Sequence, residues 1–335
     1  MSITAADIPD KTVLQSVGDR RSIRYFDPDK KVEDWQLQVV LQAARLASCQ
    51  GNINATEAIV VTKDSELWDE IEECVSGFNV QIINQASHLI FFLTNLNAWY
   101  GRANDGLSTL SLSGALTKYH GWNYEFTMTQ TVPRLMSFPT ERTENLLRFE
   151  TGLAVSQAMM AATSLGLGSI LIAFGRKPGG VEKAFGLAPN LKFTWGYAIG
   201  HPLEDAKAGG QRPRLKFEKL FHKGAYGTPF TPDPAVDDAL REKGMLQEQA
   251  PLPGRIEELD ELASRFGREP GVVSWPEKEV KRLMNDEDWD FGPNIKKRAE
   301  DVLAQGGLPD YPEEMKETFK KLMEEHGLDT NKYLS

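Results

Sequence analysis

The stretch LLRFETGLAVSQAMMAATSLGLGSILIA, Leu146 to Ala173, decides the fold class. Its first part, Leu146 to Leu165, reads as one long helix without internal proline. Ala154, Ala158, Ala161 and Ala162 give that helix a small-residue face, where a second helix can approach closely. Gly166 and Gly168 then stop it, since glycine accepts the left-handed conformation of a helix end. Ser169 to Ala173 follows as a short apolar strand. Working outward, Ala58–Thr62, Leu89–Leu93 and Phe193–Ile199 read as three further strands. Gln36–Ala47 is an amphipathic helix with Leu37, Val40, Leu41, Ala44 and Leu46 largely on one face. Leu67–Val75 and Val181–Phe185 are shorter helices. Helices outnumber the strands and enclose them, so the class is α+β with a mainly antiparallel central sheet.

The chain has 335 residues, more than one core usually holds, and predicts a main domain plus an extra segment. Hydrophobic residues make up 41% and charged residues 26%, the balance of a soluble globular protein. The net charge of −10 is uneven: residues 1–232 carry 23 acidic and 23 basic side chains, residues 233–335 carry 25 and 15. Such an acidic tail disfavours nucleic acid, whose binding is dominated by neutralising phosphates. The most apolar run, Ser87–Leu96, is about half a bilayer span, and the first residues carry no secretory pattern. No membrane association is expected. Cys49 and Cys74 lack metal-ligand spacing and fit a reducing cytoplasm; no metal is expected.

Residues 1–230 are therefore expected to form the body and 231–335 an acidic helical extension. Candidate helices there are Pro234–Gly244, Ile256–Phe266, Pro276–Asn285, Asn294–Ala304 and Pro312–His326. Their narrow apolar faces predict packing on the body or on a partner subunit. Within the body, residues of about 97–143 break the pattern and are rich in aromatics: Trp99, Tyr100, Tyr119, Trp122, Tyr124 and Phe126. Two readings stand for this insertion: an irregular surface excursion with a satellite core, or a lid or wall over a ligand site.

Four separated segments carry the chemistry. RRSIRYF, Arg20 to Phe26, clusters guanidinium groups that suit a doubly charged phosphate; Asp19, Asp27 and Asp29 would equally answer a solvated basic turn. SCQGNIN, Ser48 to Asn54, offers small and amide groups to a flat heteroaromatic edge. The strand exit AFGRKPGG, Ala173 to Gly180, could present a backbone N–H to a ring nitrogen. RPR, Arg212 to Arg214, is a second basic pair.

In order and spacing these segments, with LGLGSILIAFG, VEKAFGLAPN and WGYAIGHP, resemble the nitroreductase family of FMN-dependent oxidoreductases over roughly residues 15 to 222, less the insertion. The resemblance implies FMN as cofactor, NAD(P)H as donor and an intertwined homodimer with FMN at the subunit interface. It implies that Arg20, Arg21 and Ser22 meet phosphate and ribityl groups, and that Arg24 lies near the flavin pyrimidine. Cys49, Gln50, Gly51, Asn52 and Asn54 would line the ring edge; Ala173, Phe174 and Gly175 would offer backbone there. Arg212 and Arg214 match the distal phosphate clamp. Cys49 stands where the family commonly has Ser, and Asn54-Ala55-Thr56 where it has Gln-Pro-Trp, which puts the pocket shape in doubt. No dedicated acid/base pair is evident; His120 and Cys49 are the weak candidates for a catalytic role, since the cofactor carries the hydride. The implied activity is two-electron transfer from NAD(P)H to a small conjugated acceptor, such as a nitroaromatic or quinone, by alternating binding at one site. Rivals are a specialised flavoenzyme (reductive dehalogenation, product desaturation or flavin breakdown) and a flavin-binding module without turnover.

Overall fold

The central sheet is antiparallel throughout, with strands β1 (Thr56–Val61), β2 (His88–Asn95), β3 (Gly168–Ile172) and β4 (Leu191–Gly200) in the order β1-β2-β4-β3. The computed structural model describes residues 3–9, 11–268, 276–304, 312–328 and 330. β2 occupies the centre and is buried from His88 to Thr94. Its alternation sends Leu89 and Phe91 into one core with Ile71, Ile82 and Ala198. Ile90 and Phe92 go into another with Val40, Ala158 and Tyr197. Both faces are covered, which explains why β2 reads as a continuous apolar run rather than an alternating one. A bulge between Phe92 and Leu93 lets Thr194 of β4 slip out of register.

Nine helices are described in the body: α1 (Val13–Asp19), α2 (Asp34–Arg45), α3 (Trp68–Glu72), α4 (Phe78–Gln85), α5 (Leu96–Leu112), α6 (Tyr124–Phe126), α7 (Val132–Met136), α8 (Thr140–Ser164) and α9 (Gly180–Ala184). A π-helical turn, Thr127–Thr131, joins α6 to α7. α8 is the long helix expected from the sequence. It starts at Thr140 because Pro139 sits at its N-cap and Glu141 complements the dipole of its first turn. Its alanine face admits α2: Ala154, Ala158 and Ala162 share one core with Leu37, Val40 and Ala44.

Three local expectations change. Only Trp68–Glu72 of the expected Leu67–Val75 helix is α-helical. α4 escaped the sequence reading because its polar residues interrupt the apolar pattern, yet Ile82, Ile83 and Gln85 are buried. The insertion is not irregular: α5 runs for 17 residues. Leu96, Trp99, Ala103 and Leu107 line up at helical spacing and form a third core with Ile53, Leu135 and Leu147. Gly101, Gly106 and the polar residues Arg102, Asn104 and Asp105 between them disguised that period.

Two compact units emerge. The first is Met1–Ala208 with Leu240–Leu246; the second is Gly209–Ala239 with Gln247–Ser335. Segment 240–246 meets α1 so closely that a Cβ on Gly18 would lie 1.9 Å from the Gly244 carbonyl oxygen. The second unit contains a two-stranded pairing of β5 (Arg214–Leu215) with β6 (Trp289–Asp290) and the helices α10 (Phe217–Leu220), α12 (Arg255–Arg265), α13 (Glu277–Met284), α14 (Pro293–Ala304) and α15 (Glu313–Glu325). α11 (Pro234–Glu242) runs across the boundary. Gln249 knits this unit together: its Oε1 accepts from the Gly292 N–H at 2.8 Å and its Nε2 donates to the Asp290 carbonyl at 2.9 Å. Among the described residues, no helix is long and apolar enough to cross a membrane.

The β3 exit is anchored by a ring. Phe174 turns inward against Phe91, with centroids 4.9 Å apart, and lies over Gly196 of β4. A Cβ at Gly196 would meet Phe174 Cε2 at 2.1 Å. Gly196→Ala should therefore overpack this core and cost about 1–3 kcal/mol, several degrees in Tm by thermal unfolding. An unchanged Tm would show that the ring has room to move.

Candidate functional site

RRSIRYF leaves the C-terminus of α1 and becomes extended beside β3. The Ile23 N–H donates to the Ser169 carbonyl at 3.1 Å, and Ser22 bridges Ser169 in parallel. Glu204 pins the segment: its buried carboxylate accepts from the Arg24 and Tyr25 N–H groups, the latter at 3.1 Å. Gln85 does the same for the Phe26 N–H at 3.1 Å. Ile23, Tyr25 and Phe26 are buried, Arg20 and Ser22 half-buried and Arg24 exposed. Arg21 is buried too, and its Nη1 donates to the Gly18 carbonyl at 2.6 Å and the Arg20 carbonyl at 2.9 Å. Part of its fork thus serves the backbone that presents Arg20 and Ser22. Arg24 Nη1 donates to the Ser22 carbonyl at 2.9 Å.

The loop after α2 is strained. Gly51, Asn52 and Asn54 have φ of 60°, 54° and 56°. The two asparagines cost about 1–3 kcal/mol each in that region, so the loop needs outside support from several bonds worth about 1 kcal/mol apiece. It has them. Asn52 Nδ2 donates to Thr109 Oγ1 at 2.8 Å, Arg102 Nη1 donates to the Asn54 carbonyl at 2.8 Å, and the Gln50 N–H donates to Glu150 Oε1 at 2.8 Å. Asn54 Nδ2 folds back on the Asn52 carbonyl at 2.7 Å. Gly106 of α5 lets the helix touch the loop, for a Cβ there would lie 2.2 Å from the Gly51 carbonyl oxygen.

Glu150 is the residue that sequence reading missed. It lies on the buried face of α8, one helical turn from Leu147 and Ala154, and that misplaced acid was the available signal. Only 5% of it is exposed. Oε1 holds the Gln50 N–H; Oε2 is buried and has no hydrogen-bond partner among the described residues. Burial pushes this carboxyl above its ordinary range, against the opposing pull of the Gln50 N–H. Glu150 lines a cavity of about 290 Å³ together with Ser48, Cys49, Asn54, Arg45 and Glu57. The half-buried Cys49 thus does face a cavity. This mixture of donors and acceptors suits a flat heteroaromatic edge, and an uncharged Glu150 would add a donor at Oε2.

At the strand exit, Ala173 is exposed and the Phe174 side chain is core, leaving backbone as what Ala173–Gly175 can offer. His120 is exposed and caps its own turn, with Nδ1 3.2 Å from the Thr117 N–H; it lines neither cavity described here. Arg212 and Arg214 belong to the second unit, where Arg214 begins β5 and is exposed.

The sequence profile of the nitroreductase family matches residues 17–201. The chain belongs to the nitroreductase family. It is 29% identical over 220 residues to an FMN reductase of Bacillus subtilis (strain 168), NAD(P)H-dependent by its name, covering 64% of this chain and 74% of that one. A nitroreductase family protein from Streptococcus pneumoniae TIGR4 superposes with a TM-score of 0.51 at 18% identity, over 63% of this chain and all of the other (100%). A protein from Exiguobacterium sibiricum, described as a nitroreductase and solved in complex with FMN, gives a TM-score of 0.53 at 20% identity, over 64% and 98%. Both superpositions establish the nitroreductase fold.

Within this nitroreductase fold the two ligand-shaped segments stand at opposite corners of the sheet. Ser22 adjoins Ser169, which pairs with Ile199; the strained loop leads into Thr56, whose level is that of Thr94 and Lys192. Lys192 to Ile199 is about 20 Å along β4, and the four spacings across β1, β2, β4, β3 and the Ser22 segment add roughly 19 Å. No mononucleotide-sized ligand reaches both from one chain.

Two outcomes follow. Gly106→Ala should push the loop off α5 and lower Tm, with faster amide exchange at Gly51–Asn54; unchanged exchange would refute the close approach. The raised pKa of Glu150 means its contribution to stability is full below the ordinary carboxylate range and fades as pH rises through the folded value. Glu150→Gln, which keeps an acceptor for Gln50, should therefore gain stability relative to the parent chain as pH rises from about 4 to neutrality. A Tm difference independent of pH would remove the shift.

Proposed function

We propose that the chain is an FMN-dependent oxidoreductase that works as a homodimer, passing two electrons from NAD(P)H to a small conjugated acceptor. The observation that carries this is the separation of the corners. The phosphate-shaped segment, Arg20 to Arg24, and the ring-shaped loop, Ser48 to Asn54, make one cofactor site only if two copies contribute one each. Support comes also from the FMN reductase relative and from the cavity, which at about 290 Å³ is small for a complete site but ample for half of one.

The donor set fits FMN. Arg20 and Ser22 meet the phosphate, Asn52 and Asn54 present amides to the ring edge, and the backbone of Ala173–Gly175 offers an N–H. Arg24, exposed at the end of its segment, supplies positive charge near the ring. FMN, held there, would supply the two-electron chemistry between NAD(P)H and the acceptor. With a quinone, NAD(P)H and one proton become NAD(P)⁺ and hydroquinone. The chain positions donor and acceptor in turn. Glu150 lines the cavity with a carboxyl whose pKa burial raises, so a protonated Oε2 would offer the ligand a donor.

Purified protein should show flavin absorbance that bleaches with anaerobic NADPH and returns on adding a quinone. A colourless protein that cannot be reconstituted with FMN would overturn the proposal. Arg20→Gln should weaken FMN binding about ten-fold by flavin fluorescence titration, as expected for loss of a charge-assisted bond to phosphate. The same titration on Arg214→Gln asks whether the second basic pair serves the phosphate. The shared site has a direct test. Mixing an Arg20→Gln chain with an Asn52→Ala chain should restore one intact site per mixed dimer, whereas sites built within single chains would gain nothing.

A further inference from the structure

Beside the strained loop, lined in part by Gln50, lies a second cavity of about 740 Å³, within the usual range for small-molecule sites. The insertion and the start of α8 build its walls, and Gln50 connects it to the loop. Trp122, Phe126 and Phe138 supply aromatic surface; Arg134 and Arg142 are its only charged lining residues. Among the described residues no carboxylate lines it, although the chain carries a net charge of −10. Neither arginine forms a salt bridge among the described residues. The Arg142 guanidinium instead lies 3.9 Å from the centroid of Phe138, whose ring also stacks with Trp99 at 5.9 Å. Trp122 and Phe126 meet edge to face at 5.7 Å. Gln130 and Thr131, from the π-helical turn, complete the rim, and such turns recur at functional sites.

We propose that this cavity is the acceptor site and that it selects planar aromatic or conjugated acids. The carboxylate pairs with Arg134 and Arg142, and the conjugated part rests against Trp122, Phe126 and Phe138. The chemistry argues for this class. Two guanidinium groups without acidic partners leave positive potential over an aromatic floor, which attracts an anion carrying a flat apolar body. A neutral quinone would use only the floor. The inference rests on reading the chain as a flavin reductase, since it names the oxidant of that reaction.

The test compares 4-nitrobenzoate with its uncharged analogue 4-nitrobenzyl alcohol by isothermal titration calorimetry on the purified full chain. The carboxylate should bind about ten-fold more tightly, as one charged hydrogen-bonded pair provides. That preference should shrink with added salt and collapse toward equality in Arg134→Gln/Arg142→Gln. Arg142→Lys should keep part of it. Both arginines are exposed, so the variants should fold; the single variants Arg134→Gln and Arg142→Gln read the same ratio if the double one does not. Equal affinities in the parent chain, or a preference unmoved by every substitution, would overturn the proposal. Flavin content and anaerobic bleaching of the same preparation judge the reductase reading separately. A yellow, NADPH-bleached protein that ignores the carboxylate refutes the cavity alone. A colourless protein that still prefers it upholds the anion site and refutes the reductase.

Discussion

The antiparallel sheet fixes where everything else can be. Its order, β1-β2-β4-β3, places the start of β1 and the start of β3 at diagonal corners, and each corner carries one of the two segments with ligand-like chemistry. Hydrogen-bonded strand pairing is rigid over this length, so no side-chain rearrangement brings those corners together. A single site that drew on both corners would need a second copy by sheet geometry alone, independent of any surface patch that would hold the copies in contact.

Each corner is set by a buried carboxyl working on backbone N–H groups. Glu204 holds Arg24 and Tyr25; Glu150 holds Gln50. The two differ in what remains. Glu150 has an oxygen without a partner among the described residues and a raised pKa, whereas Glu204 uses one oxygen for two donors. The first can respond to a ligand or to pH, while the second is a clamp. An acid in a buried helix face otherwise made of Leu, Val, Ala and Thr would cost stability without return unless it met a ligand or partner group.

Much of this was legible in the sequence. Runs such as AIVVT and SILIA announce strands because apolar β-branched residues have few alternatives, and the alanine face of α8 announced its partner helix. The nitroreductase motifs likewise stood out as segments. What stayed hidden was hidden for physical reasons. α5 carries Gly101 and Gly106 where a helix reader expects a break, yet Gly106 is there to let the strained loop approach. α4 buries Gln85 to bond a distant backbone, a tertiary reason that no local pattern encodes. Glu150 was passed over as an ordinary charge on a long helix, since burial is decided by neighbours about a hundred residues away in the sequence. His120 drew notice for its aromatic neighbours, and proved to serve a local turn.

The ring of Phe174 has one more consequence. Because its ring packs between Phe91, Phe193 and the bare backbone of Gly196, the peptide units that follow it are tethered at one end to the core. A ligand that bonds to the N–H groups there would lose less affinity to ordering them than on a free loop. Substitutions that loosen the aromatic packing should thus weaken ligand retention entropically, even though none of the altered atoms touches the ligand.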